Sequence, residues 1–218
     1  MEKKFWLDKW EANEIGFHLS DYHPLLQKYF SLLYADEKSV FVPLCGKSRD
    51  MAFFESKGVD VTGCELSAKA AIDFFSELYP LAQEPVTAAK GSRFSRYHKN
   101  NINILVGNIF DLESSDLAQT KFIYDRASMV ALPDKLRQQY VSYLRHIFPT
   151  AKMLLITLDY DQNIMSGPPF SVTQDEVNKL YSFAKVEFLH RSDIIEKELT
   201  FKNRGLTSFF ETAYSIEW

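Results

Sequence analysis

The chain has 218 residues, 46% of them hydrophobic, with a formal net charge of −4 and no basic cluster. That length and apolar share suit one domain with a large core. The acidic balance argues against a nucleic-acid partner, whose phosphate backbone would call for Lys and Arg.

The opening residues, Met1-Glu2-Lys3-Lys4-Phe5-Trp6, lack the apolar run of a signal peptide. No stretch approaches the roughly 20 apolar residues of a membrane span. The only cysteines are Cys45 and Cys64, too few for a disulfide framework, so reduced thiols and a cytoplasmic location are expected. An N-terminal arm, about residues 1–35, carries Trp6, Trp10 and Phe17 in a polar setting, and a helix is predicted over 25–33. Residues 40–42 read as a buried strand, followed by Pro43-Leu44-Cys45-Gly46-Lys47-Ser48 as a tight loop and then a helix start. A second strand-like run over 59–64 leads to Glu65, nineteen residues after Gly46. A strand, a glycine turn, a helix and an acidic residue about 20 residues on is how α/β folds hold an adenosine ribose. The glycines are too sparse for a dinucleotide turn, which argues against a nicotinamide oxidoreductase and for another adenosine cofactor. A non-catalytic cofactor-binding protein is the remaining alternative.

Further along, Ala70, Ala71, Phe74, Phe75 and Leu78 form one helical apolar stripe. Residues 88–101 are polar and basic and read as a solvated loop or hairpin before a strand over 102–106. A strand over 122–124 runs into Asp125-Arg126. Leu136, Tyr140, Leu144, Ile147 and Phe148 form a second helical stripe behind Pro133. A strand over 153–158 ends at Asp159-Tyr160-Asp161, read as polar residues leaving the strand in preference to a divalent-ion site. Strands over 185–190 and 208–216, joined by a polar stretch, close the chain as a hairpin.

This alternation predicts an α/β, three-layer, Rossmann-like fold with a mostly parallel sheet and an antiparallel C-terminal strand. Ligands in such sheets bind beyond the carboxyl ends of the strands. That rim would hold residues 44–48, Glu65, residues 108–110, and Asp125-Arg126. Gly46 lets the backbone approach a ligand, and Glu65 is suited to two ribose hydroxyls; the alternatives are a Gly46 that simply ends a strand and a Glu65 that caps the helix beginning at Ser67. The helix after Ser48 is expected to point its positive end at the crevice and favour a carboxylate or phosphate. The five histidines lack zinc-ligand spacing and no metal is expected. The surroundings of Ser128 and Ser166 lack the glycines of a nucleophile elbow.

The chain resembles the thiopurine S-methyltransferase family, in its bacterial type. The residues that carry the resemblance are Phe5-Trp6-Leu7-Asp8-Lys9-Trp10, Gly16-Phe17-His18, Val42-Pro43-Leu44-Cys45-Gly46-Lys47-Ser48, Gly63-Cys64-Glu65-Leu66-Ser67, Asn108-Ile109-Phe110-Asp111-Leu112, Asp125-Arg126-Ala127, Tyr160-Asp161 and Gly167-Pro168-Pro169-Phe170. They follow in order along nearly the whole chain. The resemblance implies a single class I methyltransferase domain over 1–218, a seven-stranded sheet, and S-adenosyl-L-methionine as cofactor with S-adenosyl-L-homocysteine as its product. It implies methylation of thiols of aromatic and heterocyclic compounds, and some bacterial members are associated with selenium and tellurium compounds. It further implies a small-molecule thiol partner, a monomer, and an arm that covers the active site.

By the same resemblance Trp6 and Trp10 cover the cofactor. Leu44, Gly46 and Glu65 hold its methionine and ribose parts, and Asn108 and Ile109 lie beside the adenine. Arg126 sits at the cofactor edge as the catalytic group facing the acceptor, and Phe17 contacts the acceptor with His18 beside it. Phe170, in a Gly- and Pro-containing loop, is read from the residues as an apolar wall for a flat acceptor. The chemistry agrees with this set. Methyl transfer from a sulfonium needs an electron-rich acceptor held in line in a dry site. A heterocyclic thiol ionises readily, so a cation such as Arg126 can do more than a strong base.

Overall fold

The computed structural model describes residues 3–16, 18–34, 38–80, 86–88, 93–117 and 120–218. They fall into two compact units, Met1–Ile123 and Tyr124–Trp218.

The first unit opens with helices α1 (Lys3–Glu11) and α2 (Pro24–Tyr34). Strand β1 (Ser39–Val42), helix α3 (Asp50–Ser56), strand β2 (Asp60–Glu65) and helix α4 (Ala68–Leu78) follow. Strands β3 (Val86–Ala88), β4 (Ser95–Lys99) and β5 (Ile102–Val106) come next, and β6 (Phe122–Arg126) crosses into the second unit. Strand β2 runs parallel to β1, with Val42 opposite Gly63, and to β5, with Glu65 opposite Val106. Strand β1 also pairs in parallel with β6, Phe41 opposite Ile123. Val40, Phe41 and Val42 are buried on consecutive positions, the signature of a parallel strand covered on both faces. The helical stripe predicted over 70–78 buries Ala70, Ala71, Phe74 and Phe75, and the Ser67 side chain caps α4 by accepting from the Ala70 N–H.

The second unit contains α5 (Asp134–Ile147), β7 (Lys152–Asp159), α6 (Gln174–Leu180), β8 (Lys185–Asp193), the short helix α7 (Leu199–Lys202) and β9 (Phe210–Glu217). Helix α5 buries Tyr140, Val141, Leu144 and Ile147. It carries Asp134 in its first turn and Arg145 and His146 in its last, matching the helix dipole. Strand β9 pairs antiparallel with both β7 and β8 along its whole length, the hairpin expected from the sequence.

Nine strands are described where seven were expected. The surplus pair is β3, just before the polar region read as a loop or hairpin, and β4 within it. Strand β4 pairs antiparallel with β5 from Ser95 to Lys99, and β3 pairs with β4. Backbone hydrogen bonds to an existing edge, rather than an apolar side-chain pattern, make these two strands. No helix among the described residues is long and apolar enough to cross a membrane.

Candidate active site

In the first unit the site starts from the parallel ends of β1, β2 and β5. The loop after β1 turns back at once. Leu44 has φ of +42° and Gly46 has φ of +51°. A left-handed backbone is easy for glycine but costly for leucine, and such conformations persist only where the surroundings impose them. Here the Cys45 N–H donates to the Cys64 carbonyl at 3.0 Å, and the Ser48 N–H to the Cys45 carbonyl at 3.0 Å. The Gly46 N–H donates to Glu65 Oε2 at 2.9 Å, and the Ser67 N–H donates to Glu65 Oε1 at 2.8 Å. One carboxylate thus ties the loop after β1 to the start of α4.

Glu65 is buried, and burial raises its pKa, opposed by the N–H groups of Ser67, Gly46 and Leu66. Its two oxygens accept from Gly46 and Ser67, the Leu66 N–H adds a third backbone donor, and a carboxylate offers about four acceptor sites. The capacity left over fits a ribose hydroxyl. Alongside, the Gly107 N–H donates to the Glu65 carbonyl at 2.8 Å, placing the loop after β5 against the end of β2. In that loop Asn108 Nδ2 donates to Asp111 Oδ1 at 3.3 Å, and Ile109 is buried. Leu44, Gly46, Glu65, Asn108 and Ile109 are brought to one rim, as the strand pattern predicted.

The anion expected at the start of the helix after Ser48 finds no support. Asp50, the first residue of α3, is buried there and brings its own carboxylate. It accepts from the His23 backbone N–H at 2.8 Å and from Ser48 Oγ at 3.2 Å. Lys47 in the same loop pairs with Glu77 of α4 at 2.5 Å.

The N-terminal arm divides its aromatic residues. Trp10 is 3% exposed, whereas Trp6 is half-buried with its ring edge-on to Phe5. Helix α1 lies against α4. His18 is half-buried and donates its backbone N–H to Ile15. Phe17 lies outside the described residues.

In the second unit the end of β6 places Asp125, Arg126 and Ala127 in succession. Asp125 is fully buried. It accepts from the Tyr140 hydroxyl at 2.7 Å and from the Met129 N–H at 3.2 Å. Burial pushes its carboxyl pKa up to about 6, opposed by the hydrogen bonds from Tyr140, Met129 and Ser128. Arg126 is half-buried, and Ala127 has φ of +66°. Each unit therefore holds a non-glycine residue in left-handed backbone beside a candidate site residue, Leu44 next to Cys45-Gly46 and Ala127 next to Arg126. No glycine or asparagine marks either position, so nothing in the residue types announces them.

Phe170 is half-buried in the loop after β7, and its N–H donates to the Val130 carbonyl at 2.6 Å. Asp159 pairs with Arg191 at 2.8 Å and accepts from Ser171 Oγ, while Asp161 accepts from the Asn163 backbone and side chain. These two carboxylates are occupied separately. Among the described residues no group of three or more His, Cys, Asp or Glu side chains is placed to hold a metal ion.

Solved structures define the class. The magnesium protoporphyrin IX methyltransferase from Synechocystis PCC 6803 with bound S-adenosylhomocysteine superposes with a TM-score of 0.62 at 8% identity, over 98% of this chain and 99% of that one. A Burkholderia thailandensis 1,6-didemethyltoxoflavin-N1-methyltransferase gives a TM-score of 0.59 at 13% identity, over 98% and 86%. The fold is the Rossmann-like class I methyltransferase fold. Within it the sequence is more specific. The family model for thiopurine S-methyltransferase (TPMT) matches residues 1–218. Thiopurine S-methyltransferases of Pseudomonas fluorescens (strain Pf0-1) and Vibrio atlanticus (strain LGP32) are 39% and 42% identical. The first match covers 99% of both chains, the second 98% of this chain and 97% of its relative. The chain belongs to the thiopurine S-methyltransferase family.

Proposed function

We propose that the protein transfers the methyl group of S-adenosyl-L-methionine to the sulfur of aromatic and heterocyclic thiols, thiopurines among them. The observation that carries this reading is the strained loop at Leu44–Gly46 hydrogen-bonded to buried Glu65, in a chain of this family.

When bound, S-adenosyl-L-methionine would supply a sulfonium-borne methyl group: the acceptor sulfur bonds to the methyl carbon as the methyl–sulfonium bond breaks, giving a thioether and S-adenosyl-L-homocysteine as leaving group. The residues of the first unit are assigned to holding the cofactor. Glu65 takes a ribose hydroxyl on the acceptor capacity that Gly46, Ser67 and Leu66 leave. Leu44 and Gly46 offer backbone to the methionine part, Asn108 and Ile109 flank the adenine, and Trp6 and Trp10 cover it. Residues 1–35 act as an arm that excludes water during transfer.

Arg126 is assigned to the acceptor and the cofactor edge. Its guanidinium stays protonated at any assay pH, so it stabilises and orients the acceptor anion without titrating. The thiol proton is then lost to solvent before transfer, and no dedicated protein base is needed. Phe170, with Phe17 and His18, gives a flat ring its apolar contacts. The protein works as a monomer in the cytoplasm on a small molecule. A turnover screen with S-adenosyl-L-methionine against thiophenols, thiopurines, aliphatic thiols and selenium or tellurium acceptors tests the assignment. Aromatic and heterocyclic thiols should lead in kcat/KM. A lead by a selenium or tellurium acceptor would move the function to those compounds.

A further inference from the structure

The ring of Phe170 is fixed by more than its own loop. Its N–H is held by the Val130 carbonyl, and the preceding carbonyl, that of Pro169, accepts from the Tyr160 hydroxyl. Gly167 packs directly against the ring. A Cβ at that position would stand 2.7 Å from Phe170 Cδ1, and its φ of +82° already excludes most side chains. The guanidinium carbon of Arg137 lies 5.9 Å from the ring centroid.

Arg137 is an odd residue to find there. It is 4% exposed on α5. Its Nε donates to Glu176 Oε1 at 2.7 Å and its Nη1 to the Leu132 carbonyl at 2.8 Å. A buried guanidinium is costly unless paired, and these two bonds set the plane of the fork. They also leave the charge beside an aromatic ring that is itself half-buried. A cation within about 6 Å of a ring is attracted by the negative face of its quadrupole. The same charge offsets that negative face, so an anion approaching the ring meets less repulsion. A neutral apolar support would hold the ring but would not do this.

We propose that Arg137 and Gly167 are positioning residues that fix Phe170 as a wall selective for flat, anionic thiol acceptors. The proposal rests on the assignment of Phe170 to the acceptor. It gives that assignment a cause: the ring is held rigid from Gly167, and its electron density is adjusted from Arg137.

The test compares kcat/KM for an aromatic thiol such as thiophenol with that for an aliphatic thiol such as 2-mercaptoethanol, at saturating S-adenosyl-L-methionine. The variants are Phe170→Leu, Arg137→Met, Arg137→Lys and Gly167→Ala, with the double variant Arg137→Met/Phe170→Leu. Phe170→Leu should lower the aromatic-to-aliphatic ratio. Arg137→Met should lower it about 3- to 10-fold through KM for the aromatic thiol, the scale of one cation–π contact. Arg137→Lys should restore part of it, since the charge remains. Gly167→Ala should lower the ratio from the other contact, and Arg137→Lys, which keeps the charge and loses the fork, carries the test if Arg137→Met does not fold. In the Phe170→Leu background Arg137→Met should change the ratio no further. If Phe170→Leu leaves the ratio unchanged, the assignment of Phe170 fails and this proposal with it. If Phe170→Leu lowers the ratio while the folded Arg137 and Gly167 variants leave it unchanged, Phe170 stands and the positioning role is overturned. The positioning role is likewise overturned if Arg137→Met lowers the ratio equally without the ring.

Discussion

On the proposed function Glu65 carries two duties, and its variants should separate them. Its carboxylate accepts the N–H groups of Gly46 and Ser67, so Glu65→Ala strands two buried donors as well as removing the proposed ribose contact. Loss of a charge-assisted contact should weaken S-adenosyl-L-homocysteine binding by roughly 1.5–3 kcal/mol, about ten- to a hundredfold in Kd by calorimetry. Glu65→Gln keeps an acceptor for one N–H and should retain more of the stability while losing most of that affinity. Unchanged Kd in folded Glu65→Gln would remove Glu65 from the cofactor. Arg126 makes a different prediction. Arg126→Ala should lose more in turnover than in cofactor affinity, and Arg126→Lys should keep part of the activity. The pH profile should then follow the acidity of each thiol across a series of acceptors. A single enzyme pKa shared by every acceptor would mean that a protein base acts. His18 would be a candidate, and a value near 6 would single out Asp125. At this scale the sequence was uneven. The pairing of Gly46 with Glu65 was legible because a strand–turn–helix–strand unit of that length brings the end of β2 back to the loop after β1. Arg137 was not. Between Leu136 and Gln138 on a helix nothing marks it as buried, and its partners Glu176 and Phe170 lie more than thirty residues away.

Helix α1 is the element whose role is most open to measurement. Trp10 is buried on it and Trp6 only half so, which predicts different failures. Trp10→Ala should cost about 3–5 kcal/mol of stability, the usual result of emptying a buried indole site. Trp6→Ala should leave the melting temperature closer to wild type and raise KM for S-adenosyl-L-methionine. Hydrogen exchange over residues 3–16 should slow when S-adenosyl-L-homocysteine is added. Equal protection with and without it would leave α1 only its packing role. Other elements show what the chain could and could not announce. Strands β1, β2 and β7 were visible as apolar runs because both of their faces are covered. Strands β3 and β4 lie in a polar stretch, where a sheet edge supplies the reason for the strand and no side-chain period does. At the start of α3 the chain brings its own carboxylate, Asp50, whose bond to the His23 N–H sequence distance hides.

For the molecule as a whole, stability should depend on pH in a definite direction. Asp125 ordinarily titrates near 3.8, and burial raises it to about 6 in the folded chain. Between those values the native state holds more protons than the unfolded chain, so stability falls as pH rises from about 4 to 6 and levels off above. The penalty reaches about 3 kcal/mol at neutral pH, and buried Glu65 adds in the same direction. Urea unfolding at several pH values should show wild type losing ground to Asp125→Asn across that window. Parallel curves would mean that Asp125 ionises as easily in the fold as in water. The central claim, transfer of a methyl group to sulfur, is tested most directly by the product itself. The protein is incubated with S-adenosyl-L-methionine bearing a deuterated methyl group and a heterocyclic thiol such as 6-mercaptopurine. The products are then resolved by mass spectrometry and NMR. The expected product is an S-methyl thioether carrying the label, formed one-to-one with S-adenosyl-L-homocysteine. A labelled methyl on a ring nitrogen, or no labelled product from any thiol in a protein that binds S-adenosyl-L-homocysteine, would contradict the claim.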